Sequence, residues 1–408
     1  MSSKYPPEYS GSGLRAHNTY LRLRKKFGIE FEVITSSTSD YESTSYEFEN
    51  VSVERIMSRN LRRINRSLAR TSVSRVTNAL VFNSEMRKVT RKLNSKSFDL
   101  VHTFGFSPAT SAAIHHSIAN QTPLIIELVN TGATPLQSIP GRARLLADQL
   151  KNRTAVVAIS KALGDHSKNL GLVKNTWTRP NPVDHSKFST ISRTEHYSAK
   201  AALVPEWKDK KIVLYIAKFL DRKNHSFLID VLTHLPEDFC LLLGGPPLRD
   251  NDLVPGLKSD ELESLVTKAN LFGVSDRMKL KPGFLDMAEH LKVADVFCFP
   301  ASNEGMGTPL LESIAVGVPV VANANEPSFQ EWIRPNENGY LSPLDPAVWA
   351  ENIQAAAGIS DDQRQLMSAK ILEAVSVDSI DSQYFKILEA LSSSAPNEEL
   401  DVADVLGT

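Results

Sequence analysis

The chain has 408 residues, 41% of them apolar and 23% charged, with a formal net charge of −1 at pH 7. That length exceeds one ordinary core and fits two domains of a globular protein, while the near-neutral balance points by itself to no class of partner. No charge-free apolar run reaches the ~18 residues of a membrane span, and no basic-then-apolar leader opens the chain, so the expected location is the cytoplasm.

The first motif is "YPPEYSGSGLRAH", in which Gly11, Gly13 and Ala16 spell the G-x-G-x-x-A of dinucleotide-binding turns. A dinucleotide site needs a strand before the glycines and an acidic residue at the end of the next strand. Pro6 and Pro7 precede the glycines, and the next strand, "FEVITSS", ends in Thr35, Ser36 and Ser37. The redox reading therefore fails, and a glycine loop for another phosphate is expected. Between Val51 and Asn94 eleven Lys and Arg stand against Glu54 and Glu85, a local charge of +9. Ile56, Leu61, Ile64 and Leu68 recur there at helical spacing, so residues 51–94 read as basic amphipathic helix. Such a helix is either a solvated surface or a face for an anionic membrane or acidic acceptor. The near-absence of aromatic residues argues against nucleic acid.

Strands "LVHTF", "PLIIELV" and "AVVAIS" then alternate with helices such as "PATSAAIHHSIAN". A second series follows: "KIVLYIA", "FCLLLGG", "MKLKPGF", "DVFCFPAS" and "PVVANA". Continuous apolar strands alternating with helices predict α/β architecture, two doubly wound parallel sheets covered on both faces. The prolines of "RPNPVDHSKFS" set the boundary, giving domains 1–183 and 184–375. Cys240 and Cys298 lie far apart in apolar strands and read as buried thiols of a reducing compartment. The tail 395–408, "APNEELDVADVLGT", is acidic, poor in large apolar groups and expected to fray.

Open α/β sheets bind ligands beyond the carboxyl ends of their strands. At one such end stands "NEGMGTPLLESIAVGVPVV". Thr308 fits a helix N-cap, Pro309 the first helical position and Gly317 the C-cap. The amides of Gly305, Met306, Gly307 and Thr308, with the helix N-terminus, form an anion site. Glu304 and Glu312 beside an anion would repel it unless they accept from hydroxyls, and a nucleotide sugar carries both phosphates and diols. In "LYIAKFLDRKNHSF", Lys218 and Lys223 flank a turn into a helix and suit a diphosphate. Asp250-x-Asp252 resembles a metal-binding pattern but sits in a proline-bounded polar loop, so no metal or other cofactor is expected.

Glu304-x7-Glu312, the "KFLDRKN" turn, "YPPEYSGSGLRAH" and "NPVDHSKF" occur in an order that resembles the retaining glycosyltransferases of family 4. The resemblance implies the GT-B fold, two Rossmann-like domains facing across a cleft. It also implies that Glu304 holds donor-sugar hydroxyls, Glu312 the ribose, and Lys218 and Lys223 the diphosphate. Gly305 to Thr308 would touch sugar and phosphate, and the Gly11 and Gly13 loop would close over the phosphates. Gly244, in "LGG", would lie near the base, as would Gly283 and Phe284. A last helix, 376–394, would return to the N-terminal domain. His102 and Asn130 are the acceptor-side candidates, although Phe104 and Asn130 depart from the histidines common there. Lys218 stands where the family has Arg, and the strand expected before the glycine motif is not read in the sequence. The implied reaction moves a sugar from a nucleoside diphosphate to a hydroxyl of a glycan or lipid-linked acceptor. The alternatives are a sugar-nucleotide epimerase or hydrolase, with Glu127 and His102 as nominal acid and base, and a non-catalytic binding member.

Overall fold

The computed structural model describes all residues except 3, 9, 37–43, 68–72, 130–147, 248–260, 396 and 408. The chain forms two compact units: Met1–Pro180 together with Asp378–Thr408, and Asn181–Val377. The boundary falls three residues before the one read from the prolines.

The first unit contains β1 (Val33–Thr35), β2 (Thr44–Phe48) and β3 (Val51–Arg55) in the order β1-β3-β2. Glu49 and Asn50, both at positive φ, make the two-residue turn that pairs β2 with β3 antiparallel. β4 (Val101–Phe104), β5 (Leu124–Leu128), β6 (Thr154–Ala158) and β7 (Thr176–Thr178) form a parallel set in that order. Met1 and Ser2 link the two sets where the sequence reading found no strand. The Met1 ammonium donates to the His102 carbonyl at 2.7 Å and Phe104 N–H donates to the Met1 carbonyl at 2.9 Å. Ser2 bridges both Thr35 and Phe104.

The helix Val377–Ser393 buries Ile380, Tyr384, Ile387, Leu388 and Leu391 against Leu23, Ile125, Val157 and Trp177. Its apolar residues recur at i, i+4, i+7, i+8 and i+11, one stripe of a helix. The tail differs from expectation. Leu400 and Val402 are buried in the same cluster, and Val402 N–H donates to the Lys174 carbonyl at 2.8 Å. A few well-spaced apolar groups suffice to hold an acidic segment once a partner surface exists.

Residues 51–94 also differ. They form β3, then the helices Arg59–Ser67 and Ser74–Leu93, not one amphipathic helix. Part of the basic charge is used internally: Arg62 pairs with the fully buried Glu85 at 2.5 Å and Lys92 with Glu54 at 2.6 Å. Lys88 donates to the Met57 carbonyl at 2.6 Å.

The second unit is one six-stranded parallel sheet. Its strands are β8 (Lys211–Ile216), β9 (Phe239–Gly245), β10 (Met278–Pro282), β11 (Val296–Phe299), β12 (Val320–Asn323) and β13 (Gly339–Ser342). They run in the order β10-β9-β8-β11-β12-β13. Strands β9, β11 and β12 are buried throughout, as sheets covered on both faces require, and Cys240 and Cys298 are buried free thiols within them. From β8 the chain winds first to one edge and then, from β11, to the other. The loops after β8 and β11 therefore leave adjacent strands on opposite sides of the sheet, the switch point where α/β folds bind ligands.

Candidate active site

The two loops at this switch point are tied to each other. Ser302 N–H, after β11, donates to the Arg222 carbonyl, after β8, at 3.0 Å. After β8 the chain makes a short 3-10 turn over Asp221–Lys223, and Asn224 takes φ 57° to start the helix His225–His234. The Tyr215 hydroxyl, from β8 itself, donates to the Lys223 carbonyl at 2.8 Å and fixes the turn. Lys218 is half-buried at the start of this loop. Its neighbour Ala217 donates N–H to the Gly244 carbonyl at 2.9 Å.

After β11, Asn303 at φ 57° turns the chain so that Glu304 folds inward, and Glu304 is only 8% exposed. Its carboxylate oxygen Oε1 accepts from Arg222 Nη1 at 2.5 Å and from Lys223 Nζ at 2.6 Å. Glu304 N–H donates to Glu326 Oε2 at 3.0 Å, and Glu326 is itself buried beyond the end of β12. Burial holds the Lys223 ammonium below the usual lysine range, while Glu304 pulls in the opposite sense. The arrangement is a partly dry cluster of two cations and two carboxylates at the carboxyl edge of the sheet. Electrostatic contacts there are several times stronger than in water.

The helix Thr308–Val316 starts beside this cluster. Its N-cap is Gly307 at φ 74°, so Thr308 is the first helical residue and not the cap, and Pro309 is the second. Gly307 is required twice over: by its φ, and because a Cβ would meet Phe329 and Phe299 at 2.7 and 2.8 Å. Thr308 Oγ1 accepts from Asn181 Nδ2 at 2.7 Å, and Met306 Sδ accepts from Asn181 N–H at 3.1 Å. The Met306 side chain is thus packed inside, while Gly305 and Gly307 supply backbone only. Gly317 closes the helix in the left-handed conformation at φ 84°.

Glu312 lies one turn along that helix, half-buried. Burial, with a smaller push from Asp286, raises its carboxyl to about 7. Gly244 and Gly283 approach one another's strands: Gly283 N–H donates to the Gly245 carbonyl at 2.9 Å, and Lys281 pairs in register with Gly244. A Cβ on Gly245 would meet the Ala217 carbonyl oxygen at 2.0 Å.

In the first unit the expectations are altered. Gly11 and Gly13 form the first turn of the helix Gly11–Phe27, capped by Ser10, whose Oγ accepts Gly13 N–H at 3.2 Å. They are not a free glycine loop. Gly13 is there for close approach, since a Cβ would meet the Lys4 carbonyl oxygen at 2.2 Å. His102 is 6% exposed, hydrogen-bonded to the Tyr20 hydroxyl at 2.9 Å, and burial lowers its pKa to about 4. It is a neutral core histidine. Glu127 is fully buried; burial would raise its pKa, but Arg15 and Arg179 outweigh this and hold it well below the carboxylate range. With burial favouring the neutral form of His102 and the arginines favouring the ionised form of Glu127, the two enclosed groups make a poor acid–base pair for epimerisation. Asn130, Asp250 and Asp252 lie outside the described residues.

Sequence reasoning missed Arg222, Glu326 and Asn181. Arg222 stood inside the quoted "KFLDRKN" turn and Asn181 opened the quoted "NPVDHSKF", while Glu326 carried no local signal.

The family model described as glycosyl transferases group 1 matches residues 202–369. The chain is 32% identical over 197 residues to the lipopolysaccharide core biosynthesis glycosyltransferase LpsE of Rhizobium meliloti, 48% of this chain and 52% of that protein. It is 29% identical over 173 residues to the lipopolysaccharide glucosyltransferase WaaG of Escherichia coli, 38% of this chain and 44% of that one. The chain thus spans about half the length of the curated relatives it matches. Anabaena HepE, solved in complex with UDP and glucose, aligns with a TM-score of 0.69 at 16% identity, covering 95% of this chain and 98% of that one. The fold is GT-B, its two Rossmann-like bodies corresponding to the two units.

Proposed function

We propose that the protein is a retaining glycosyltransferase of the family 4 type, moving a hexose-type sugar from a nucleoside diphosphate to a hydroxyl of a glycan or lipid-linked acceptor. The observation that carries this reading is the Glu304 carboxylate, gripped by Arg222 and Lys223 at the switch point of the second unit beside a glycine-led helix N-terminus. Glu304 accepts from sugar hydroxyls, Glu312 accepts from the ribose, and Lys218 and Lys223 balance the diphosphate. The amides of Gly305 to Thr308 touch sugar and phosphate, and Gly244 lies by the base. In the reaction the bond between the anomeric carbon and the diphosphate oxygen breaks. The acceptor oxygen bonds to the same face, and its proton passes to the departing diphosphate.

The lysines supply the positive charge that the leaving group needs, so transfer proceeds without a metal ion. UDP is the first nucleotide to test, because HepE was solved with it. Replacing Glu304 by Gln tests the reading. Transfer to a glycan acceptor should be abolished while the melting temperature is retained; undiminished turnover would refute the assignment.

The acceptor side includes an anionic membrane surface met by the first unit. Val76, Leu80, Arg87 and Arg91 form one exposed stripe of the helix Ser74–Leu93, and Ile64 and Arg63 are exposed on the helix before it. Apolar groups with arginines on one face suit insertion at a negatively charged interface. Among the described residues no helix is long and apolar enough to cross a membrane.

A further inference from the structure

Two cations converge on one oxygen of Glu304. Arg222 Nη1 stands at 2.5 Å and Lys223 Nζ at 2.6 Å from the same Oε1. One carboxylate balances one positive charge, so Glu304 alone leaves one of the two cations to be offset by the more distant Glu326. The two cations differ in placement and chemistry. The Lys223 side chain is 13% exposed and that of Arg222 is 38% exposed. Lysine is a point charge on a flexible stem, whereas guanidinium is a planar fork that stays charged and can grip a carboxylate with two donors. Arg222 is also anchored through its backbone: its carbonyl accepts Ser302 N–H at 3.0 Å, two residues from Glu304.

This inference rests on the proposed donor site, in which Lys223 serves the diphosphate. In the free protein that lysine is engaged by Glu304, which competes with any incoming anion. A lone Glu304–Lys223 pair would resist the ligand, because separating it leaves a buried carboxylate without a counter-charge. We propose that Arg222 is a positioning residue that takes over the Glu304 carboxylate when the donor diphosphate draws Lys223 away. Arg222 thereby keeps Glu304 in place for the sugar and releases Lys223 for the phosphates. It makes no contact with the donor in this role, and its effect on the nucleotide runs through Glu304.

A double-mutant cycle read by calorimetric titration with whichever of UDP, GDP and ADP the parent protein binds tests the inference. R222A should weaken the nucleoside diphosphate about tenfold, and R222K, which keeps the charge but not the fork, should recover only part of that loss. In the E304Q background, where the carboxylate hydrogen-bonded to Lys223 is gone, adding R222A should change affinity less than about twofold. Melting temperatures of all four proteins establish that each is folded. An equal loss from R222A with and without Glu304 would show Arg222 contacting phosphate directly and would overturn the inference, as would no loss in either background. If the parent protein binds none of UDP, GDP and ADP, the donor-site reading fails and the inference fails with it.

Discussion

Glu326 Oε2 accepts the backbone N–H of Glu304 at 3.0 Å, so one buried carboxylate holds the peptide that carries the other. Glu326 Oε1 in turn accepts from the Ser328 hydroxyl at 3.2 Å, which fixes its orientation. Replacing Glu326 by Ala leaves a buried N–H without its acceptor, at a cost of about 1–3 kcal/mol. For a unit of this size that is a fall in melting temperature of roughly 2–10 °C. E326Q retains an acceptor oxygen and should lose less. Calorimetric scans of both variants check this, and equal melting temperatures for E326A and the parent would show that the bond contributes nothing.

Glu312 makes donor binding depend on pH. Its carboxyl is raised to about 7 in the free protein, and only the ionised form can accept from both ribose hydroxyls. Affinity for the nucleoside diphosphate should therefore rise as pH rises through about 7, and E312Q should bind weakly with a flatter profile. Stability runs the other way. A carboxyl raised above its unfolded value of 4.5 contributes stability that is complete below that value and lost as pH rises through about 7. E312Q should thus melt higher than the parent at pH 8, by a few degrees, and within about a degree of it at pH 5. A parent affinity that does not change between pH 6 and 8 would contradict this account of Glu312.

The two glycine positions make opposite predictions. Gly307→Ala puts a Cβ 2.7 Å from Phe329 at φ 74°, so it should lower stability by about 2 kcal/mol or more and displace the loop that carries Glu304. Gly11→Ala meets nothing within 4 Å and lies in a helix, so it should leave stability unchanged or raise it by up to about 1 kcal/mol. Denaturant titration of the two variants distinguishes the first turn of a helix from a strained glycine loop at Gly11.

The stripe of Val76, Leu80, Arg87 and Arg91 gives a prediction independent of catalysis. The protein should sediment with vesicles of phosphatidylglycerol and phosphatidylcholine at low salt, and release as salt screens the arginines. Leu80→Asp together with Arg87→Glu should abolish sedimentation without lowering the melting temperature, since both side chains are exposed. Equal sedimentation of parent and double variant would remove this face from the account.

The places of Glu304, Glu312, Lys218 and Lys223 at the strand ends and helix starts of the second unit were legible because their spacing within single loops and helices is local. The strands of the second unit were legible for a similar reason, as a strand buried on both faces is an unbroken apolar run. What sequence could not supply were pairings across the switch point. Arg222 meets Glu304 because β8 and β11 are neighbours in the sheet, and Glu326 meets it because β12 is next. Neither contact has a signature in either segment alone. Gly11 and Gly13 open a helix and not a loop because a G-x-G pattern also serves a helix start, here capped by Ser10. The basic run from 51 to 94 misled because Val51 and Val53 alternate into a buried strand, with Arg62 turned to a buried glutamate. Leu400 and Val402 were too sparse to announce a docked tail.

The central claim is that the Lys223–Glu304 cluster receives a nucleoside diphosphate bearing a sugar. Its most direct measurement is calorimetric titration of UDP, GDP and ADP into the parent protein and K223A. The account predicts that one of the three binds the parent and that K223A binds it at least about tenfold more weakly. Binding of none of them, or equal affinity for parent and K223A, would contradict it.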